Sequence, residues 1–338
     1  MKFEKYLELI RRSNNLSVVE AEEFLSEILD NELISENQVA EALTHLTEKS
    51  VSLNEILGFL AAMRARMKRV DVEGSLIDNC GTGGDKSGTF NISTASAIVL
   101  AAGGVKMAKH GNRNASSKCG SADVLEALNI PVDLDPEAAA KKLDEDSFVF
   151  LFAQKYHPSL KKLAVVRKKL GFPTVFNILG PLLNPASVKR QVIGTYNLDN
   201  AKMIADVVAR LNYEHAIVLV SEDGLDEASL SAPTNIFDIR GSTVENYLIK
   251  PQDYKLEAAD KAELLGGDAE TNAMIIREIM EPGDELSAAQ RVVVLNAALG
   301  FYVSGFSETI ETGIDMAMKV IKSGKAKQKL TDLGNNNE

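Results

Sequence analysis

The 338-residue sequence predicts an α/β protein in two unequal parts. A small N-terminal helical domain occupies residues 1–70, with later helical segments free to join it. Residues 71–338 form a larger α/β domain around a mostly parallel central sheet. Three observations predict this. The length, at roughly 150 residues per domain, suggests about two domains. The first 70 residues carry helix caps and apolar side chains spaced by three and four. From Leu76 onward, short β-rich runs alternate with helical stretches, the pattern of a parallel sheet covered on both faces.

The opening segment, MKFEKYLELIRRSNN, mixes charge into its apolar positions and lacks a signal-peptide core. Three capping boxes follow: Ser17 with Glu20, Ser35 with Gln38, and Ser52 with Glu55. In each, the hydroxyl accepts the third backbone N–H, and the longer side chain reaches back to the cap's own N–H. Behind the third box, Leu53, Ile56, Leu57, Leu60 and Met63 form one helical stripe. The module reads as structural, with a dimerising helical face as the functional alternative.

Strands are expected at Ser75–Asp78, Val105–Ala108, Phe148–Phe152, Gln191–Tyr196 and Ala216–Val220. Helices are expected at Thr94–Ala102, Ser159–Leu170, Ala201–Leu211, Ala288–Leu299 and Thr309–Ser323. Asn235–Ile249 reads as edge strands, and the polar tail LGNNNE as frayed.

Apolar residues make up 45% and charged residues 25%, which suits a globular chain able to bury a core. There are 48 acidic and 37 basic side chains, for a net charge of -11. That balance argues against a nucleic-acid backbone as partner, but not against a small anion held by a local field. No apolar run approaches the roughly 18 to 20 residues that span a bilayer, so no membrane partner is expected. Cys80 and Cys119, outside any CxxC pair, read as reduced thiols. The expectation is a soluble, cytoplasmic protein.

Four motifs carry chemistry. In DNCGTGGDKSGTFNIST, Asp78–Thr94, Gly81, Gly83 and Gly84 stand between a strand and a helix. Such a loop brings backbone N–H groups close to an anion, and the helix adds its positive end. Thr89, Asn91, Ser93 and Thr94 add donors, so the segment suits phosphate or pyrophosphate. It matches neither the Walker loop nor the GxGxxG fingerprint. KHGNRNASSKCGSAD, Lys109–Asp123, follows the second strand and so reaches the same carboxyl edge of the sheet. In VSEDGLDEASL, adjacent Asp226 and Glu227 make a hard-oxygen pair suited to Mg²⁺. In the stretch Phe150–Pro185, His157-Pro158 opens a helix carrying Arg167, which could grip a carboxylate as a fork. Asn177–Pro185 reads as a shaping loop.

Taken in order, GTGGD, FNIST, KHGNR, ASSKCGSAD, HP with VR, FNILGPLLNP and DGLDE resemble the anthranilate phosphoribosyltransferase family over nearly the whole chain. The resemblance implies the fold of nucleoside phosphorylases and phosphoribosyltransferases, a homodimer, and Mg²⁺. It implies transfer of phosphoribosyl from phosphoribosyl pyrophosphate (PRPP) to anthranilate, releasing pyrophosphate, in tryptophan biosynthesis. The implied PRPP residues are Gly81, Gly84, Asp85, Thr89, Asn91, Ile92, Ser93 and Thr94. They continue through Lys109, His110, Gly111, Asn112, Arg113, Asn114, Ala115, Ser116 and Ser117 to Ser121. Ser93, Asp226 and Glu227 are implied to hold Mg²⁺; Gly81, Asn112 and Arg167 to contact anthranilate; and Lys109, Asn112 and Arg167 to act catalytically. Two rival readings are a pyrimidine nucleoside phosphorylase and a non-catalytic nucleic-acid binder. KHGNR and Arg167 favour the transferase over the first; DGLDE and the acidic charge stand against the second.

Overall fold

The structure is a computed structural model and describes residues 2–113 and 118–335. Asn114, Ala115, Ser116 and Ser117, all expected PRPP contacts, lie outside the described residues. The chain divides into two compact units: Met1–Arg69 with Gln154–Pro185, and Val70–Ala153 with Ala186–Glu338. Among the described residues no helix is long and apolar enough to cross a membrane.

The first unit opens with α1 (Lys2–Arg11), α2 (Val18–Asp30), α3 (Glu36–Glu48) and α4 (Leu53–Arg64). All three capping boxes form, each with both reciprocal hydrogen bonds. The third does more than cap. Glu55 is fully buried, pairs with Lys49 at 2.7 Å, and accepts the Leu16 N–H at 3.1 Å. A carboxylate in that setting needs its partners, since an uncompensated buried charge is costly. On α4, Ile56, Leu60 and Met63 of the expected stripe are buried, joined by Phe59 and Ala62. The later helix begins at Lys161, not Ser159, because Pro158–Leu160 is a 3₁₀ turn. The stretch expected as a shaping loop is largely helical, an α-helix over Val175–Leu179 and a 3₁₀ turn over Gly180–Leu183, and the Arg64 guanidinium donates to its Leu182 carbonyl at 2.8 Å. His157 Nε2–H donates to the Leu183 carbonyl at 2.9 Å.

The second unit holds a seven-stranded sheet in the order β3-β2-β1-β4-β5-β6-β7. Its strands are β1 (Ile77–Asp78), β2 (Met107–Gly111), β3 (Phe148–Phe152), β4 (Arg190–Gly194), β5 (His215–Ser221), β6 (Thr234–Arg240) and β7 (Thr243–Ile249). β1 to β5 pair in parallel, while β6 and β7 join antiparallel. Two expectations are corrected. β1 is shorter than Ser75–Asp78, and of the pair within Asn235–Ile249 only β7 is an edge strand. Of the tail expected to fray, Leu333 to Asn335 close a helix that runs Lys325–Asn335, with Leu333 buried in the core; residues 336–338 lie outside the described residues. The apolar side chain of Leu333 anchors residues that composition alone marked as frayed.

The chain leaves β1 for β2 and β3 on one side, then crosses back to β4 on the other. The crevice between β1 and β4 is thus the topological switch point, where open α/β sheets bind ligands. It is closed tightly at its base. The Thr82 N–H donates to the Gly194 carbonyl at 2.8 Å, and the Gly83 N–H to Asp226 Oδ2 at 3.0 Å. A Cβ on Gly194 would stand 1.6 Å from the Asp226 carbonyl oxygen. Backbone cannot swing aside as a long side chain can, so only glycine fits there.

Two outcomes are expected. Burial holds the His157 ring down at about 4, against 6.5 in the unfolded chain. Below pH 6.5 the unfolded state therefore binds the extra proton. Stability is lost as pH falls from 6.5 towards 4, by up to about 1.4 kcal/mol per pH unit. Urea unfolding across that window should show a shallower slope for His157→Gln; an unchanged slope would refute the assignment. Gly194→Ala should destabilise by more than about 3 kcal/mol, through backbone overlap. An unfolding midpoint equal to that of the unaltered protein would contradict this geometry.

Candidate active site

The loops leaving β1, β2, β4 and β5 share one edge because these strands are parallel. The glycine loop uses its glycines in two ways. Gly83 and Gly84 have φ of 64° and 88°, the left-handed region that favours glycine. Gly81 instead allows close approach: a Cβ there would lie 3.0 Å from Asp226 Oδ2 and 3.2 Å from the Gly194 carbonyl.

The loop feeds α5 (Ile92–Ala102), an almost wholly buried helix with no side chain capping its first turn. Its opening N–H groups are therefore the donors that an anion would meet. The side chains of Ile92 and Thr94 are buried, and Thr94 Oγ1 has no hydrogen-bond partner among the described residues. Thr89 Oγ1 lies 3.1 Å from Ser87 Oγ at the loop's far side.

Three carboxylates, Asp85, Asp226 and Glu227, interact electrostatically in this crevice. Burial, followed by the charge of Asp85, pushes Asp226 up from the usual carboxylate range. Glu227 is raised by burial and then by the charge of Asp226. Asp85 Oδ2 is buried with no hydrogen-bond partner among the described residues. Ser93 lowers the pKa of Glu227, so Ser93 stands beside the Asp226–Glu227 pair in the crevice. Hard oxygens, mutual repulsion and an orphaned acceptor together fit a divalent cation such as Mg²⁺.

Lys109 opposes that repulsion from below. Its side chain is only 2% exposed, and Nζ donates to Asn79 Oδ1 at 3.0 Å and Ser93 Oγ at 3.3 Å. Its charge lowers the pKa of Glu227. The structure thus places Lys109 as a buried counter-charge beneath the carboxylates.

The segment after β2 is largely occupied with itself. The His110 N–H donates to Asp78 Oδ1 at 3.1 Å, and the ring is buried. Gly111 backs onto Ser121 and Phe150, whose atoms would lie 2.3 and 2.7 Å from a Cβ. Asn112 Oδ1 accepts the Arg113 N–H at 2.8 Å, and its carbonyl accepts from Ser121 Oγ at 3.3 Å. The Arg113 guanidinium pairs with Glu126 and Asp123 of α6 (Ser121–Ala127) and lies over Phe152.

Arg167 belongs to the helical unit. Its guanidinium donates to Asn177 Oδ1 at 3.1 Å and sits over the Phe176 ring. Among the described residues neither of these partners is anionic, and burial lowers its pKa. That is a cation held in place with its charge uncompensated, suited to an incoming carboxylate.

The thiols are muted. Burial raises Cys80 well above its ordinary value and pushes Cys119 up to about 11. Sequence reasoning missed three side chains. Asp78 is buried, accepting from the His110 N–H and from Gln191 Nε2 at 3.2 Å. Asn79 donates to the Ser93 carbonyl at 2.7 Å. Asn272 reaches Asn91 from a distant helix. Asp78 and Asn79 lay inside the first motif and were legible as buried strand-end polar groups; nothing local marked Asn272.

Comparison with known proteins agrees with this geometry. Residues 73–327 match the model described as the glycosyl transferase family a/b domain, and residues 4–67 its helical bundle domain. An anthranilate phosphoribosyltransferase of Priestia megaterium is 40% identical over 332 residues, covering 98% of this chain and 97% of that one. One of Desulforamulus reducens is 43% identical, covering 94% and 91%. The crystal structure of anthranilate phosphoribosyltransferase from Thermus thermophilus superposes with a TM-score of 0.90 at 35% identity, covering 97% of this chain and 98% of that one. The Saccharomyces cerevisiae enzyme in complex with PRPP and Mg gives 0.88 at 27% identity, covering 98% and 96%. Matched over nearly its whole length in sequence and in fold, this chain belongs to the anthranilate phosphoribosyltransferase family.

Proposed function

We propose that the chain transfers the phosphoribosyl group of PRPP to the amine of anthranilate, giving N-(5-phosphoribosyl)anthranilate and pyrophosphate in tryptophan biosynthesis. The observation that carries this is the convergence of the glycine loop, Ser93 and the Asp226–Glu227 pair on one crevice. The C–N bond forms as the bond from the anomeric carbon to pyrophosphate breaks, with inversion. The bonding electrons leave with pyrophosphate, and the amine proton passes to solvent. The reaction needs alignment more than a strong base.

The loop amides of Gly81, Gly84 and Asp85, and those opening α5 from Asn91 to Thr94, are read as the phosphate cradle. Thr89 and Ser121 are read as hydroxyl donors to the same substrate. Ser93, Asp226 and Glu227, with Asp85 alongside, would hold Mg²⁺, which would supply positive charge against the departing pyrophosphate. Lys109 lowers the pKa of Glu227, which favours the ionised form that a cation needs. His110, Gly111, Asn112 and Arg113 are read as shaping the second side of the PRPP site. Gly81, Asn112 and Arg167 are read as the anthranilate contacts, with Arg167 taking its carboxylate.

We also read the enzyme as a cytoplasmic homodimer. Free thiols at Cys80 and Cys119 suit a reducing compartment. Exposed Val19 and Leu33 on the helical unit support a second copy as partner. Light scattering on the purified chain tests the dimer, and a monomer across micromolar concentrations would remove it.

Mixing protein, PRPP, Mg²⁺ and anthranilate should consume anthranilate fluorescence. Well-folded protein without turnover would sink the transferase reading. Arg167→Ala should raise the anthranilate KM by about tenfold or more, the usual cost of a lost charged hydrogen bond, with PRPP KM within about twofold. Equal losses for both substrates would remove Arg167 from the carboxylate role.

A further inference from the structure

Asn272 lies in the first turn of the helix Ala269–Met280 and is 2% exposed. It sits in a directed chain of amides. The Gly267 N–H donates to Asn272 Oδ1 at 2.7 Å, and Asn272 Nδ2 donates to Asn91 Oδ1 at 2.9 Å. Asn91 Nδ2 then donates to the Cys119 carbonyl at 3.3 Å. An amide has one donating and one accepting end. A backbone N–H at the start and a carbonyl at the finish therefore permit a single orientation of both side chains.

The consequence falls on α5. Asn91 is its N-cap residue, and asparagine there ordinarily accepts from the helix's own opening N–H groups. Here it caps nothing. Its φ and ψ are −72° and 73°, where Ser17 and Ser35, which do cap, have ψ of 167° and 157°. The Ile92 N–H closes onto the Phe90 carbonyl at 2.7 Å, an inverse γ-turn centred on Asn91. The same strap that carries Gly267 holds this turn: the Phe90 N–H donates to the Leu264 carbonyl at 3.0 Å, and the Gly266 N–H to the Gly88 carbonyl at 2.9 Å.

We propose that Asn272 is a positioning residue for PRPP: it draws the Asn91 amide off the end of α5, so the Ser93 and Thr94 N–H groups, which Asn91 would otherwise cap, stay open to the substrate's phosphates. The proposal rests on the reading of that helix end as part of the PRPP site. Without the Asn272 donor, Asn91 is free to rotate back, cap its own helix and occupy those N–H groups.

The test compares the unaltered enzyme with Asn272→Ala and Asn272→Asp, by calorimetric titration of PRPP with Mg²⁺ and by steady-state kinetics. Aspartate keeps the size and the acceptor for the Gly267 N–H but cannot donate to Asn91. Both variants should bind PRPP about tenfold or more weakly, with kcat and anthranilate KM within about threefold. In an Asn91→Ala background, Asn272→Asp should add nothing to the PRPP Kd, because the two act as one unit. A folded variant of either kind with PRPP Kd within twofold overturns the proposal, whatever its melting temperature. So does an equal effect in both backgrounds, or failure of both single variants to fold, since either marks a purely structural residue. An unaltered protein that binds no PRPP would overturn the functional reading itself, and this proposal with it.

Discussion

Everything in the crevice depends on a backbone meeting at Gly194. Its carbonyl takes the Thr82 N–H of the glycine loop, while its Cα lies against the Asp226 carbonyl. Three loops from three strands are thereby stacked without side chains between them. This sets the distance from the glycine-loop amides to the carboxylates, and so the separation between what holds phosphate and what holds a cation. Parallel pairing of β1, β4 and β5 brings the loop ends to one edge; the missing Cβ lets them touch.

The electrostatics follow from that compression. A chain of net charge -11 gathers three carboxylates in the crevice and sets one buried lysine under them. Global charge thus says little about an anion site. The local balance is adjusted by Lys109, by loop N–H groups and by the cation that hard oxygens attract. Arg113 shows the opposite case. Its guanidinium pairs with Glu126 and Asp123 one helix away, so its charge is shared with carboxylates even beside a proposed phosphate site. A cation's availability depends on which carboxylates reach it first.

The sheet alternation, the three capping boxes and the principal site motifs were legible because each is a local signal. A capping box spans four residues, a glycine loop about as many, and a buried parallel strand is a short apolar run. Ser17, Ser35 and Ser52 could hardly do otherwise than start helices. Boundaries were less legible. β1 shrank to two residues, the helix carrying Arg167 started two residues late, and Leu333 drew the tail into the core. In each case packing or a proline turn overrode composition.

By itself the sequence determined the fold class and the starts of the helices capped by Ser17, Ser35 and Ser52. These rest on interactions among near neighbours and on apolar period. Only the tertiary structure decided that Gln154–Pro185 is grouped with the first helices, that Glu55 is buried with Lys49, and that Lys109 faces Asn79 and Ser93. It alone revealed Asn272, whose partner Asn91 is 181 residues away, and the Gln191–Asp78 bond across 113 residues. Such contacts leave no trace in spacing, because they arise where strand order and helix packing set distant segments side by side.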